Sequence, residues 1–366
     1  MERATEKINL LNLSRTELAD WLQVRHIRPY RANQIFKWLY IRQADDFVAM
    51  SDLKKEARSL LGNHFTLSRL GLETCQTAAD GAVKYLFRLE DGQHIESVLI
   101  PERDHYTLCI SSQVGCAQGC RFCLTARSGL VRNLTQAEIV SQVRDILRLA
   151  PKAMPLTNLV LMGMGEPLAN YNNVVRALAI ITDSDCGLKL ASRRVTLSTA
   201  GLVSKLPALG RDSKVNLAVS LNATDNPTRN RLMPINRKYP IEDLLAACRR
   251  FPLPTGRKIT FEYILIKGVN DRLEDARRLA RLLAPLPAKI NLIPFNAHAG
   301  CRLRRPGDAS ILAFQKILLD KNYTVIIRHS KGQDISAACG QLRAKLLESG
   351  TKEGIVLRRP VVSAEP

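Results

Sequence analysis

From about residue 107 the chain repeats one pattern: a short apolar run, a loop, an amphipathic stretch, then the next apolar run. The runs are YTLCISS, NLVLMGMGE, RRVTLSTAG, KVNLAVSLNA, KITFEYILI, KINLIPFN and YTVIIRHS, and stretches such as IEDLLAACRR, LEDARRLARLLAPL and DASILAFQKILL lie between several of them. Apolar strands alternating with amphipathic helices build a parallel sheet, because parallel neighbours need a helix-length crossover. Six such units are too few to close an eight-stranded barrel, so the pattern predicts an α/β fold with an open, partial (βα)6 barrel, YTVIIRHS adding a seventh strand. Ligands of α/β barrels sit at the C-terminal ends of the strands, which directs attention to the residues that finish each run.

Two blocks precede the barrel. Residues 1–68 read as a small helical accessory domain: the capping box Ser14-x-x-Glu17 opens ELADWLQV, and a second helix follows Pro29 through RANQIFKWLYIRQ. Ile35, Trp38 and Leu39 share a face of that helix and are expected in its core. Residues 69–106 read as a β-hairpin connector, because GAVKYLFRLE and QHIESVLI alternate apolar residues around Asp91-Gly92. The barrel is assigned to 107–349, and the tail TKEGIVLRRPVVSAEP after Gly350 is expected to be disordered.

The loop after the first barrel strand carries CAQGCRFC, which gathers Cys116, Cys120 and Cys123. A structural zinc site wants four closed ligands, and the next cysteine or histidine is Cys186. Three thiolates with one position open suit an iron-sulfur cluster whose last iron can take a substrate; a zinc knuckle and three unrelated thiols are the alternatives. The second strand ends in Gly163-Met164-Gly165-Glu166-Pro167, where glycines would let a ligand approach the backbone and Glu166 offers an acceptor to an ammonium group. Ser198, Ser220 to Asn222 and Asn296 finish later strands. DISAACGQL places Cys339 at the start of a helix.

Charge and cysteine usage bound the partners. With 54 Lys and Arg against 34 Asp and Glu, the net charge is +20 and the isoelectric point is near 9.9. Spread through a folded chain, that excess implies a polyanionic partner, nucleic acid above all. No amphipathic basic helix stands out for a membrane surface, the N-terminus has no long apolar segment, and no apolar run reaches eighteen residues. Nine cysteines, an odd number with three of them in one loop, fit a reducing compartment. The protein is expected in the cytoplasm, as a monomer.

Cys-x3-Cys-x2-Cys resembles the radical S-adenosylmethionine superfamily, in which the uncoordinated iron chelates the cofactor's amino and carboxylate groups and an aromatic at the place of Phe122 shields the cluster. More narrowly, CISSQVGC, GCRFCLTA, MGMGEPL, VTLSTAG, LMPIN and DISAACGQL, in this order, resemble the RlmN/Cfr family of radical S-adenosylmethionine RNA methyltransferases over nearly the whole chain. The resemblance is closer to the adenine C2 branch than to the C8 branch. It implies a [4Fe-4S] cluster on Cys116, Cys120 and Cys123. It further implies S-adenosylmethionine held by Gly165, Glu166, Ser198, Ser220, Leu221, Asn222 and Asn296, with Cys339 as methyl carrier, Cys109 as its resolving partner and Glu96 as proton acceptor. Residues 1–68 would be an RNA-binding module. Substrates would be 23S rRNA near the peptidyl transferase centre and the anticodon-loop adenosine of some tRNAs, with a one-electron donor such as flavodoxin. Two positions depart from the family: its histidine after Ser-Leu is Asn222, which cannot titrate near neutrality, and its Trp-Asn-Pro is Phe295-Asn296-Ala297.

Such parts suit a carbon that has no acidic proton. As the resemblance implies, one S-adenosylmethionine methylates Cys339 and a second yields a 5'-deoxyadenosyl radical that takes hydrogen from the S-methyl group. The sulfur-bound methylene radical then joins protein to adenine until Glu96 removes the C2 proton and Cys109 attacks Cys339. The alternatives are the C8 methyltransferase and an iron-sulfur RNA-binding protein that does not methylate. The latter gives no reason for GMGEP, Cys109 and Cys339 together.

Overall fold

A computed structural model of the protein describes residues 7–298 and 301–343; the expected disordered tail lies outside these residues. The capping box forms as expected: Ser14 Oγ accepts from Glu17 N (3.2 Å) and Glu17 Oε2 accepts from Ser14 N (2.7 Å), opening helix α1 (Arg15–Gln23). Helix α2 (Arg31–Phe36) runs into a single π turn, Lys37–Ile41, and α3 (Lys55–His64) completes the set. Leu18, Leu22, Ile35, Phe36, Leu39 and Leu61 form their buried core. Trp38 is only half-buried, because its indole N–H donates to Asp52 (2.6 Å) and the Arg42 guanidinium lies 4.1 Å from the ring centre.

Ten strands form the main sheet: β1 (Gly71–Thr77), β2 (Val83–Arg88), β3 (His94–Pro101), β4 (Tyr106–Cys109), β5 (Leu156–Leu161), β6 (Val195–Thr199), β7 (Asn216–Ser220), β8 (Ile259–Leu265), β9 (Ala288–Pro294) and β10 (Thr324–Ile327). Their order in space is their order in sequence. From β4 to β10 every pairing is parallel, so each crossover moves one strand along and the sheet winds in a single direction. All seven barrel strands read from the sequence are present. The hairpin also forms, Val83 opposite Leu99, but it is not a free-standing connector: β3 pairs antiparallel with β4, Val98 opposite Cys109, and β1 to β3 continue the barrel's own sheet.

Helices α4 (Gln136–Leu149), α5 (Tyr171–Thr182), α6 (Leu206–Asp212), α7 (Ile241–Arg249), α8 (Leu273–Leu283) and α9 (Asp308–Leu319) lie between the parallel strands. Thr135 and Glu138 cap α4 reciprocally. The sequence gives α4 a polar face, yet Gln136, Ser141, Gln142, Arg144 and Asp145 are as buried as Ile139 and Val143. The N-terminal domain covers Gln136 and Arg144, the segment just after it covers Asp145, and Gln142 turns inward to Ser97 and Ser111. Gln136 Nε2 donates to the Leu11 (2.7 Å) and Leu13 carbonyls, Asp145 accepts from Leu70 N (2.9 Å) and pairs with Arg69, and Arg176 on α5 reaches Glu17 (2.8 Å), Gln136 (2.6 Å) and the Asn12 carbonyl (2.7 Å).

Candidate active site at the strand ends

The cysteine loop is closed at its base by a small antiparallel pair, Gln113–Gly115 against Leu130–Asn133. Cys116 is buried, Cys120 and Cys123 are half-buried, and Phe122 packs between them and Leu232, Met233, Ile266 and Phe295. Burial pushes the Cys116 thiol up to about 12, and burial together with the neighbouring thiols pushes Cys120 up as well. Sulfurs held this way need a metal centre to displace their protons. Among the described residues no group of three His, Cys, Asp or Glu side chains converges on a point that would hold one metal ion.

Glu166 ends the β5 loop. Its carboxylate accepts from Leu168 N (3.0 Å) and Ala200 N (2.6 Å), and its own N–H donates to Gln113 Oε1 (2.8 Å). Burial raises its proton affinity, and a cationic group placed beside it would favour its ionised form. The glycines before it serve a purpose the sequence did not suggest. A Cβ on Gly163 would lie 2.7 Å from the Ile110 carbonyl, and one on Gly165, whose φ is +100°, would lie 2.6 Å from Gln113 Cβ. They let the Glu166 loop fit against the base of the cysteine loop rather than merely admit a ligand.

Ser198 lies in β6, Ser220 ends β7, and Leu221 and Asn222 follow it. The Asn222 side chain is fully engaged: it holds φ at +58°, accepts from Ile264 N (2.8 Å) and donates to Met233 Sδ (3.2 Å). It shapes the strand end, and its carbonyl accepts from Asn270 Nδ2 (2.8 Å). Arg229, which a sequence reading counts as surface charge, is wholly buried. Its guanidinium donates to the carbonyls of Ala200 (2.8 Å), Ser220 (3.2 Å) and Leu221 (3.0 Å), and to Asn236 (2.9 Å), tying two strand ends together beside Cys120. Burial lowers its pKa to about 10.

Cys339 departs from expectation in its local structure. It sits in a chain of turns over 331–343, not at a helix start, and the rest of ACGQL explains the turns. Gly340, at φ +82°, offers its carbonyl to Leu124 N (2.7 Å), and Thr125 Oγ1 donates to the Leu342 carbonyl (2.7 Å). Gln341 accepts from Ala338 N (3.2 Å) and donates to the Ala297 carbonyl (2.8 Å). Asn296 donates to Ser330 Oγ (3.0 Å) and to the Cys339 carbonyl (3.1 Å). Glu96, buried on β3, accepts from Arg343 N (2.7 Å) and lies 3.4 Å from Lys84 Nζ. The segment is thereby latched to the cysteine loop on one side and to β3 on the other.

Cys109 ends β4 and faces Cys339 across a cavity of about 720 Å³ inside the sheet. Val98, Met162, Glu262, Asn291 and Arg328 also line it, and Arg193, Arg194, Lys289 and Lys331 stand around it. Cys339 is exposed to the cavity, yet the protein around it pushes its thiol up to about 11; burial and Cys339 itself push Cys109 higher. Two thiols far apart in sequence thus share one chamber.

Comparison with known proteins decides the family. Residues 8–67 match the ribosomal RNA large subunit methyltransferase N-terminal domain and residues 110–282 the radical SAM superfamily. A dual-specificity RNA methyltransferase RlmN from Desulfosudis oleivorans is 59% identical over 93% of this chain and 91% of its own length. The chain belongs to the RlmN family of radical S-adenosylmethionine methyltransferases. An RlmN from Geobacter sulfurreducens is 57% identical over 93% of each chain, and a radical SAM methyltransferase from Sphaerobacter thermophilus superposes with a TM-score of 0.86 at 45% identity, covering 92% of this chain and all of that one. RlmN relatives therefore span both the helical domain and the barrel. Among the described residues no helix is long and apolar enough to cross a membrane.

Proposed function

We propose that the protein methylates C2 of an adenosine in 23S rRNA and of the adenosine 3' to the anticodon in some tRNAs, drawing single electrons from a donor such as flavodoxin. The observation that carries this reading is the shared chamber of Cys109 and Cys339, with the Cys339 segment bonded to the cysteine loop through Leu124 and Gly340. When bound to Cys116, Cys120 and Cys123, a [4Fe-4S] cluster with S-adenosylmethionine supplies the radical route that an unactivated ring carbon requires. Glu166 holds the methionyl ammonium, with Gly165, Ser198, Ser220, Leu221, Asn222 and Asn296 around the rest. Cys339 carries the methyl carbon on sulfur, a good nucleophile once ionised. After the carbon is delivered, Glu96 takes the C2 proton, and Cys109 attacks the Cys339 sulfur to release product and form a disulfide. The +20 charge draws RNA to the site.

Mass analysis of rRNA and tRNA from cells with and without this protein tests the reading. The expected difference is 2-methyladenosine; finding only the 8-methyl isomer would assign the C8 branch.

A further inference from the structure

One carboxyl in the reaction chamber has no part in the chemistry above. Glu262, on β8, is buried and lines the cavity together with Cys109, Cys339, Asn291 and Arg328. Ser198 on β6 and Asn291 on β9 lie beside it, and it lies near enough to both cysteines to raise the proton affinity of each. Resting on the methyltransferase reading, we infer that Glu262 recognises the Watson–Crick edge of the target adenine.

Burial outweighs Asn291, Arg328 and Ser198 and moves Glu262 toward its neutral form. A neutral carboxyl has one donor and a free acceptor side by side. Adenine presents the complement, an acceptor at N1 and a donor at N6; guanine presents the reverse. Enzymes that act on a base taken out of its stack read it along this edge. N1 is bonded to C2, so the contact that identifies the base also brings C2 beside Cys339 and Cys109, while C8 stays on the far side of the ring. A donor at N1 also withdraws electron density from C2, favouring addition of a carbon radical. Glu96, held by Arg343 N and Lys84, remains the separate proton acceptor.

The test compares wild type, Glu262→Ala and Glu262→Gln on an RNA hairpin carrying adenosine, or purine riboside without the N6 amine, at the target position. Binding and single-turnover methylation are both measured. Wild type should prefer adenosine by roughly ten- to a hundredfold. Glu262→Ala should lose that preference, and Glu262→Gln, whose amide keeps one donor and one acceptor, should restore most of it. Equal preference in wild type and Glu262→Ala would overturn the inference, as would Glu262→Gln failing like Glu262→Ala, which would mark an ionised base. The adenine of S-adenosylmethionine has the same edge. If it were the partner, Glu262→Ala would weaken S-adenosylmethionine binding and stop methylation of Cys339 without RNA, which would also overturn the inference. Melting temperature and iron content separate folding defects from either result. Wild type inactive on every RNA would instead refute the underlying reading.

Discussion

Asn296 donates one side-chain amide to two groups at once, the Cys339 carbonyl at 3.1 Å and the Ser330 hydroxyl at 3.0 Å. A residue assigned to cofactor binding at the end of β9 therefore also holds the segment that carries the proposed methyl group. The proposed cofactor site and the proposed carrier are thereby hydrogen-bonded to each other.

Asn296→Ala leaves both acceptors without this donor, a cost of about 1–2 kcal/mol. The loss should be local. Hydrogen exchange of residues 330–341 is expected to accelerate about tenfold in the ligand-free protein, with the β5 to β8 amides unchanged. Uniform acceleration across the sheet would show that Asn296 supports the fold at large.

The two cysteines should fail differently. Cys339→Ala removes the carrier and should yield neither product nor adduct, whereas Cys109→Ala should still charge Cys339 and stall with RNA covalently attached. A nuclease-sensitive gel shift on the purified variants reads the contrast. Adduct on Cys339→Ala, or on neither despite intact clusters and RNA binding, contradicts the roles assigned.

In the ligand-free protein Cys339 should be slow to alkylate. A thiol that titrates near 11 is about a thousandth ionised at pH 8, against about a quarter for an ordinary cysteine. Folding favours its protonated form, so this group's effect on stability turns unfavourable as pH rises above the ordinary thiol value, growing until the folded value is reached. Iodoacetamide labelling of Cys339, followed by mass spectrometry, should rise about tenfold per pH unit between 8 and 10. A plateau below pH 9 would refute the raised value.

Docking of the N-terminal domain should weaken in acid. The Arg176 guanidinium holds Glu17 down to about 2, from an ordinary value of 4.5. The contact's contribution is full above the ordinary value and is lost as pH falls toward 2. Both partners are substantially exposed, so the effect is modest. Trp21 and Trp38 account for both tryptophans of the chain, so indole fluorescence reports this domain alone. Arg176→Ala should remove the spectral change between pH 4.5 and 2 that wild type shows; identical titrations would exclude this contact as the clasp.

Features fixed by local chemistry were legible in the sequence. Strands announced themselves as apolar runs, the Ser14 cap by residue type, and the cysteine loop by its spacing. Long-range polar contacts were not. Arg229 looks like any surface arginine until its carbonyl partners are folded around it. Gln113 and Gln341, which join the cysteine loop to the Glu166 loop and shape the Cys339 turn, have no periodic signature. Gln136 and Asp145 read as the wet side of α4, because a partner more than sixty residues upstream leaves no trace in a short window. Cys339 followed the same rule: its motif was visible, but its turns depend on Asn296 and Leu124.

The burial of α4 also orders events during synthesis. Leu11, Leu13, Asn12 and Glu17 are made well before their partners Gln136 and Arg176, which lie in α4 and α5. The N-terminal helices therefore leave the ribosome with their docking face bare and wait for nearly half the chain. Elongation at about 5–20 residues per second makes that wait on the order of ten to thirty seconds. During it the nascent protein displays apolar surface that the finished enzyme conceals, and chaperone capture at this stage would depend on translation speed.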